Sequence, residues 1–402
     1  MTPIATQLDV AQVRSQFPAL SRPNAPAYFD GPGGTQVPHR VLDAIRDYLV
    51  NSNSNIEGEY EASIRTDQLI AQARVSGGAF VHGDPDGVAF GQNATTLNFL
   101  LTRAVGRLLE PGDEIITTTL DHDANVAPWL LLAQDRGLTV RQVGVSPNLE
   151  LDPDDLASQL SDRTKVVAYT LASNAVGSLT PAARIAQLAH EAGALAWVDA
   201  VHYAPHRRID VTELGCDVLL CSPYKFFGPH LGMAWLRPSL AATWPAERVR
   251  PAGNHPPGHR FETGTLSHEA LAGFVEAVAY LESLASDLDS AYQAIAAHEL
   301  SLAEQFLAGL HTLPSWQLLG VQSADPARRV PTFGLLCDHA TPDILARELA
   351  RQARYTWNGN FYALNLVRAL GLDEEQGMLR IGFTHYNTAD EVSSLLAHLA
   401  AL

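Results

Sequence analysis

Apolar and polar positions fall into two textures along the chain. Between residues 88 and 221, short apolar runs take turns with amphipathic stretches of helical spacing. The runs at 88–90, 114–118, 139–143 and 165–170, and those around Trp197 and Leu219, read as strands. The stretches at about 95–109, 126–135, 153–160 and 181–192 read as helices. For the last of these, Thr180 stands where an N-cap belongs, Pro181 at the first helical position and Gly193 just past the end. Strands that alternate with helices predict an α/β fold with a mainly parallel sheet covered on both faces.

Ahead of this run, residues 1–27 read as a polar arm with a short helix around 10–17. The turn-rich Asp30-Gly31-Pro32-Gly33-Gly34 follows, then helices at 38–48 and 66–80 with an exposed polar loop at 51–58 between them. After Gly264 the texture changes. Long helical patterns at about 268–285 and 289–311 precede a loop-like 321–330 and short strands near 332–336 and 378–381. A last helix opens at Thr388, which forms a capping-box pattern with Glu391. The change predicts a large domain over 28–264 and a smaller α+β domain built from 1–27 and 265–402. No internal repeat or low-complexity segment interrupts it.

Bulk composition narrows the class. A chain of 402 residues is long enough for two domains and a large core, and 46% hydrophobic with 18% charged residues is a globular balance. The formal net charge of −17 argues against nucleic acid or an anionic membrane as partner, though a local pocket can still be positive. The three cysteines, Cys216, Cys221 and Cys337, form neither a disulfide framework nor a metal motif, so a reducing, cytoplasmic setting is expected. The first residues show no signal-peptide pattern, and no apolar run reaches membrane-spanning length.

The candidate chemistry centres on Cys221-Ser222-Pro223-Tyr224-Lys225-Phe226-Phe227-Gly228-Pro229. One lysine lies among aromatics just past an apolar strand. Burial lowers an ammonium's pKa and makes the amine a usable nucleophile. A lysine whose stem lies on the aromatics while its head reaches water is the simpler reading of that stretch alone. Upstream, however, the strand Leu195-Ala196-Trp197-Val198-Asp199 also ends on a charged group. A strand-end carboxylate followed by a strand-end lysine is what a pyridoxal 5'-phosphate (PLP) site needs. The lysine makes the Schiff base, and the aspartate keeps the pyridine nitrogen protonated.

In that order, Asp199-Ala200-Val201-His202, Ser222-Pro223-Tyr224-Lys225 and Gly228-Pro229 resemble the signature of class V aminotransferases, PLP-dependent enzymes of fold type I. The closest likeness is to the cysteine desulfurase-like group. It extends from Tyr28-Phe29-Asp30-Gly31-Pro32-Gly33-Gly34 to Arg380-Ile381-Gly382-Phe383-Thr384-His385-Tyr386-Asn387-Thr388. The resemblance implies a seven-stranded, mainly parallel sheet in the large domain and a smaller α+β C-terminal domain.

It also implies roles. Ala94 and Thr95, at the start of a helix after Asn93, bind the cofactor phosphate, as backbone N–H groups at a helix N-terminus are suited to do; an ordinary Asn or Thr cap is the plain alternative. His122 lies flat against the pyridine ring, with Asp121 and Asp123 behind it or in solvent. A metal corner on Asp121-His122-Asp123 is the competing reading, weakened by the lack of a further ligand pair. Asn174 donates toward the cofactor's phenolic oxygen. His202 stands where relatives carry glutamine, and Ser222 and Tyr224 reach the phosphate or ring face. Thr265, after Gly264, matches a phosphate contact made across a homodimer interface. Arg380 takes the substrate's α-carboxylate through two parallel hydrogen bonds; its plain alternative is a salt bridge with Glu374 or Glu375.

One departure shapes the reaction. Desulfurases of this group carry a nucleophilic cysteine in the loop before the final arginine. Here that stretch is Thr356-Trp357-Asn358-Gly359-Asn360-Phe361-Tyr362-Ala363, and Tyr362 holds the cysteine's place. Asn360 and Tyr362 are candidates to meet the substrate side chain, and Cys337 reads as a packed strand-end residue. The expectation is an enzyme acting on an L-amino acid through Lys225, Asp199 and His122 without a protein persulfide. Elimination, epimerisation and transamination stay open as outcomes. A cofactor-retaining binding protein and a metal hydrolase are the alternatives of other classes.

Overall fold

The computed structural model describes residues 8–402; the first seven residues of the expected N-terminal arm lie outside the described part. A seven-stranded sheet runs in the order Val88–Gly91, Gly232–Leu236, Val218–Cys221, Leu195–Asp199, Thr164–Thr170, Glu114–Thr118, Thr139–Val143. The last five neighbours pair in parallel, and Gly232–Leu236 is antiparallel to both strands that flank it. The inner strands Leu195–Asp199 and Val218–Cys221 read as unbroken apolar runs because both faces are covered, while the edge strand Thr139–Val143 stays largely exposed.

Gly232–Leu236 was not legible as a strand, although the likeness implied a seventh. All five residues are buried, so no alternation sets it apart. Its glycine has a use: a Cβ on Gly232 would lie 2.4 Å from the backbone of Asn93. The strand therefore packs directly against the entry of the helix Ala94–Gly106.

The second sheet is antiparallel, in the order Trp357–Gly359, Met378–Gly382, Thr332–Cys337, Trp316–Leu319. Its apolar face packs with Leu302, Phe306 and Leu310 of the helix Leu288–Leu310 and with Val392, Leu395 and Leu399 of the last helix. Residues 27–30 run along the C-terminal elements. Ala27–Tyr28 pairs in parallel with Arg354–Tyr355, and Asp30 bridges to Gly382. The short helix Val10–Ser15 precedes Phe17, whose ring packs on Phe227, Tyr280 and Tyr386 at 6.0, 5.4 and 5.3 Å.

Several local expectations are corrected. The helix expected from Pro181 is Ala182–Glu191, with Pro181 itself at the N-cap; Thr180 turns its hydroxyl to the Thr170 carbonyl at 2.7 Å instead of capping. The helix expected from 66 begins at Glu61. The helix Pro342–Arg351 and the strands Trp316–Leu319 and Trp357–Gly359 were not anticipated. Cys337 is only half-buried, its sulfur 3.5 Å from a His339 ring nitrogen. The capping box is present as expected, Thr388 Oγ1 accepting from Glu391 N at 3.1 Å. Among the described residues no helix is long and apolar enough to cross a membrane.

Candidate active site

Two neighbouring strand ends supply the central pair. Val218–Cys221 ends at Ser222, and the chain turns through Pro223–Lys225, with Lys225 N bonded to Ser222 O at 2.9 Å. Leu195–Asp199 lies beside it, with Asp199 in register with Leu220. Crevices outside the carboxyl ends of parallel strands are where α/β sheets bind ligands.

Lys225 keeps part of its surface open, but its amine sits among protein atoms. Nζ donates to the carbonyls of Pro32 and Gly33, the latter at 3.1 Å, and lies 5.0 Å from the centre of the Tyr224 ring. Burial, with the nearby Arg380 charge, pulls its pKa down to about 7 against a partial counter-pull from Asp30 and Asp199. Asp199 is buried, and its Oδ1 accepts from Val201 N at 2.8 Å. Burial pushes its pKa up to about 6, while that N–H and the Lys225 charge pull the other way.

Beside this pair the helix Ala94–Gly106 opens. Asn93 caps it by accepting from Thr96 N at 2.8 Å, so the cap reading of Asn93 holds. Ala94 N donates to Ser222 Oγ at 3.2 Å. Helix start and Ser222 hydroxyl thus converge next to the lysine turn, with Thr95 exposed. Unsatisfied N–H groups of a helix's first turn suit an anion.

The loop after Glu114–Thr118 places His122. Asp121 is neither solvated nor a metal corner: Oδ2 accepts from Thr118 N and Oγ1 at 3.1 and 2.6 Å, and Oδ1 from Asn125 Nδ2 at 2.9 Å. Asn98, on the helix Ala94–Gly106, donates to Ala124 O at 2.7 Å and accepts from Trp197 Nε1 at 2.8 Å. The loop is thereby pinned to two elements of the site. His122 Nδ1 accepts from Ala124 N at 3.0 Å, which puts any proton of the neutral ring on Nε2. Burial and the charges of Lys225 and Arg380 lower its pKa to about 4, so the ring is neutral at pH 7. Among the described residues no group of three or more His, Cys, Asp and Glu is placed to hold a metal ion.

On the small-sheet side, Arg380 comes from the strand Met378–Gly382 and is buried. Glu374 pairs with Arg368 at 2.7 Å instead. The partner of Arg380 is Asp30, 3.1 Å from its Nη2, while Nη1 donates to Asn174 O at 3.0 Å. Its guanidinium carbon lies 4.0 Å from the centre of the Phe361 ring, and its Nε has no partner. Asn174 Nδ2 donates to Phe361 O at 2.9 Å, leaving its buried Oδ1 without a donor.

The 359–363 loop closes against this cluster. Phe361 and Tyr362 both adopt left-handed backbone, φ 54° and 56°, a costly conformation for aromatic residues. Bonds from Asp123 N to Tyr362 O at 2.7 Å and from Asn174 to Phe361 hold it in place. Tyr362 is 70% exposed, with its ring 5.3 Å from His122. Asn360 is spent on the loop itself, donating to Glu374 O at 2.7 Å and accepting from Tyr362 N at 2.9 Å.

His202 is buried with Nε2 3.0 Å from Thr332 Oγ1, and burial holds its pKa well below the usual value. Behind it His206 packs at 5.3 Å, its Nδ1 3.0 Å from Glu299. Tyr224 stacks on His230 at 5.1 Å. Thr265 is exposed in the single chain, on a loop anchored one turn earlier by the buried pair Arg74–Glu262 at 2.6 Å. Asp30, Phe361 and the His206–Glu299 pair went unremarked as site residues. Only Asp30 had a usable signal, as the polar residue opening the Gly-Pro-Gly-Gly turn.

The donor set fits PLP. A depressed lysine, a buried carboxylate one strand away, a neutral imidazole and a helix start beside a serine hydroxyl gather at neighbouring strand ends. The unpartnered Arg380 Nε and Asn174 Oδ1 ask for a polar ligand.

Comparisons agree with that assignment. The family described as Aminotransferase class-V matches residues 27–395. The chain is 33% identical over 410 residues to the aminotransferase-like protein FGM3 of Gibberella zeae, covering 98% of each chain. It is 31% identical to a probable cysteine desulfurase of Mycobacterium leprae, covering 99% of this chain and 97% of the relative. Among solved structures, the apo cysteine desulfurase of Thermococcus onnurineus superposes with a TM-score of 0.89 over 98% of both chains at 22% identity, a likeness of fold.

Proposed function

The chain belongs to the aminotransferase class-V family and is a PLP-dependent enzyme, and from that premise we propose that it acts at the Cα of an L-amino acid without storing sulfur on a protein cysteine. The reading rests chiefly on Lys225 and Asp199 standing at adjacent strand ends, within the field of Arg380.

PLP, when bound, supplies an electron sink for the pair of electrons left at Cα. The residues around it divide the remaining work. Lys225, its pKa drawn down to about 7, would be the amine that holds the cofactor and moves the proton at Cα. Asp199 sits where it would hold the pyridine proton; that positive partner would draw its raised pKa back down and keep it ionised. Ala94, Thr95 and Ser222 would hold the phosphate, and His122, neutral and pinned by Ala124, would cover the ring. Asn174 and His202 would bond the cofactor's polar edge, and Tyr224 its phosphate end. Arg380 would hold the α-carboxylate. Asn360 and Tyr362 belong to the loop facing the substrate side chain, Asn360 as its brace.

Thr265 would complete the phosphate site of a second copy, making the functional unit a homodimer of chains whose domains divide at about residue 264. Thr265→Ala should then weaken PLP retention. A fully active monomer that keeps PLP through dilution would refute this assembly.

The sulfur part of the proposal rests on the cysteines. Cys216 and Cys221 are buried; burial pushes the Cys216 thiol up to about 12 and Cys221 higher still. Neither is a thiolate at neutral pH. Cys337 lies beside His339, whose Nε2 meets the carbonyl of Leu402 at the chain's end. Tyr362 replaces the thiol with a phenol, whose oxygen does not carry sulfane sulfur. Replacing all three cysteines with serine or alanine should leave the specific activity of the folded protein nearly unchanged. Persulfide on one of them during turnover, with activity lost on its replacement, would restore the desulfurase mechanism.

A further inference from the structure

Arg380 meets its surroundings with its charge already answered. Only 4% of its side chain is exposed, and one of its nitrogens already faces Asp30 Oδ1. Asp30 is better reached, with 19% of its side chain exposed. Its carboxylate is fixed from two sides. The Asp30 backbone bridges to Gly382, two residues past Arg380. On the other side Gly33 folds over it so closely that a Cβ there would lie 2.3 Å from Asp30 Oδ2. The same turn presents the Pro32 and Gly33 carbonyls to Lys225 Nζ.

We propose that Asp30 is an affinity-setting residue: it is the resident carboxylate at Arg380, and an amino-acid substrate binds by exchanging its own carboxylate for that one. The inference rests on the reading of Arg380 as the substrate anchor. A buried guanidinium without an anion is costly, and Asp30 removes that cost while the site waits. The contact is one-point, one oxygen on Nη2, and it leaves the buried Nε without an acceptor. A guanidinium takes a carboxylate best through two parallel N–H bonds. An incoming carboxylate that spans Nε and Nη2 satisfies the orphan and displaces Asp30 from Nη2. The net gain is therefore a difference between two carboxylates rather than the full worth of one. Carboxylates without an α-amine are held weakly, and only ligands that gain a second attachment through the amine stay.

The test uses the PLP-loaded protein, with propionate as the probe and calorimetric binding at fixed pH and ionic strength as the readout. Asp30→Asn removes the competing charge at nearly constant shape, and propionate should bind about tenfold tighter or more than to wild type. Asp30→Ala should shift binding the same way should the amide pack badly. Propionate should also raise the melting temperature of either variant more than that of wild type. Unchanged or weaker propionate binding in both variants would overturn the inference. Arg380→Lys separates it from the reading beneath it. Binding lost in Arg380→Lys but equal in wild type and Asp30→Asn removes only the role of Asp30. Binding intact in Arg380→Lys removes Arg380 as the anchor, and the exchange with it.

Discussion

Lys225→Ala should abolish covalent attachment of PLP. Wild-type protein reduced with borohydride should carry the cofactor's mass on the peptide containing Lys225, and the variant should carry it nowhere. Turnover should fall by several orders of magnitude, because no other lysine or free amine approaches the Asp199 strand end among the described side-chain contacts. The same residue leaves a mark on the cofactor-free protein. Its folded pKa of about 7 lies below its ordinary 10.5. Between those values the unfolded chain binds a proton that the folded chain does not, so stability rises with pH across that window. Lys225→Met removes the proton difference. It should flatten that slope and raise the melting temperature of the cofactor-free protein near pH 7. A reduced, PLP-labelled peptide elsewhere in the Lys225→Ala protein would end the assignment.

Asp199→Ala should keep a share of bound PLP and lose most turnover. A preorganised charge partner in a dry site is worth roughly 3 kcal/mol of barrier, about a hundredfold in rate. Asp199→Asn tests charge apart from shape, since the amide fits the strand end but supplies no negative charge to a pyridine proton. The fall should appear in kcat rather than in KM, because among the described residues the Asp199 carboxylate hydrogen-bonds Val201 N and no substrate-side group. Asn and Ala variants that turn over near wild type would make Asp199 an ordinary strand-end residue.

The central pair was legible because each member breaks a local pattern. Lys225 interrupts an aromatic run and Asp199 ends an apolar strand, so charge stands where burial is expected. His122 and Asn174 were found through family likeness, since a histidine or asparagine after a strand is common by itself. Asp30 was not assigned because its partner is 350 positions away, and no local spacing reports that pairing. Arg380 suggested Glu374 for the opposite reason: the acid nearest in sequence is taken by Arg368. Thr180 misled in the same way, as a sound cap in a plausible place whose hydroxyl is claimed by the adjacent strand. The strand Gly232–Leu236 and the short strand Trp357–Gly359 lacked periodicity, one buried on all sides and the other too short to show any.

Lys225, Asp199 and Arg380 are proposed to form one site for a cofactor and an amino acid. The direct measurement is the visible spectrum of the purified, PLP-loaded protein during titration with a panel of L-amino acids, followed in wild type and in Arg380→Ala. At least one amino acid should shift the cofactor band saturably in wild type, and the half-saturating concentration should rise by at least about tenfold in the variant. A bound cofactor whose spectrum no amino acid changes, or a shift equally strong without Arg380, would contradict the proposed site.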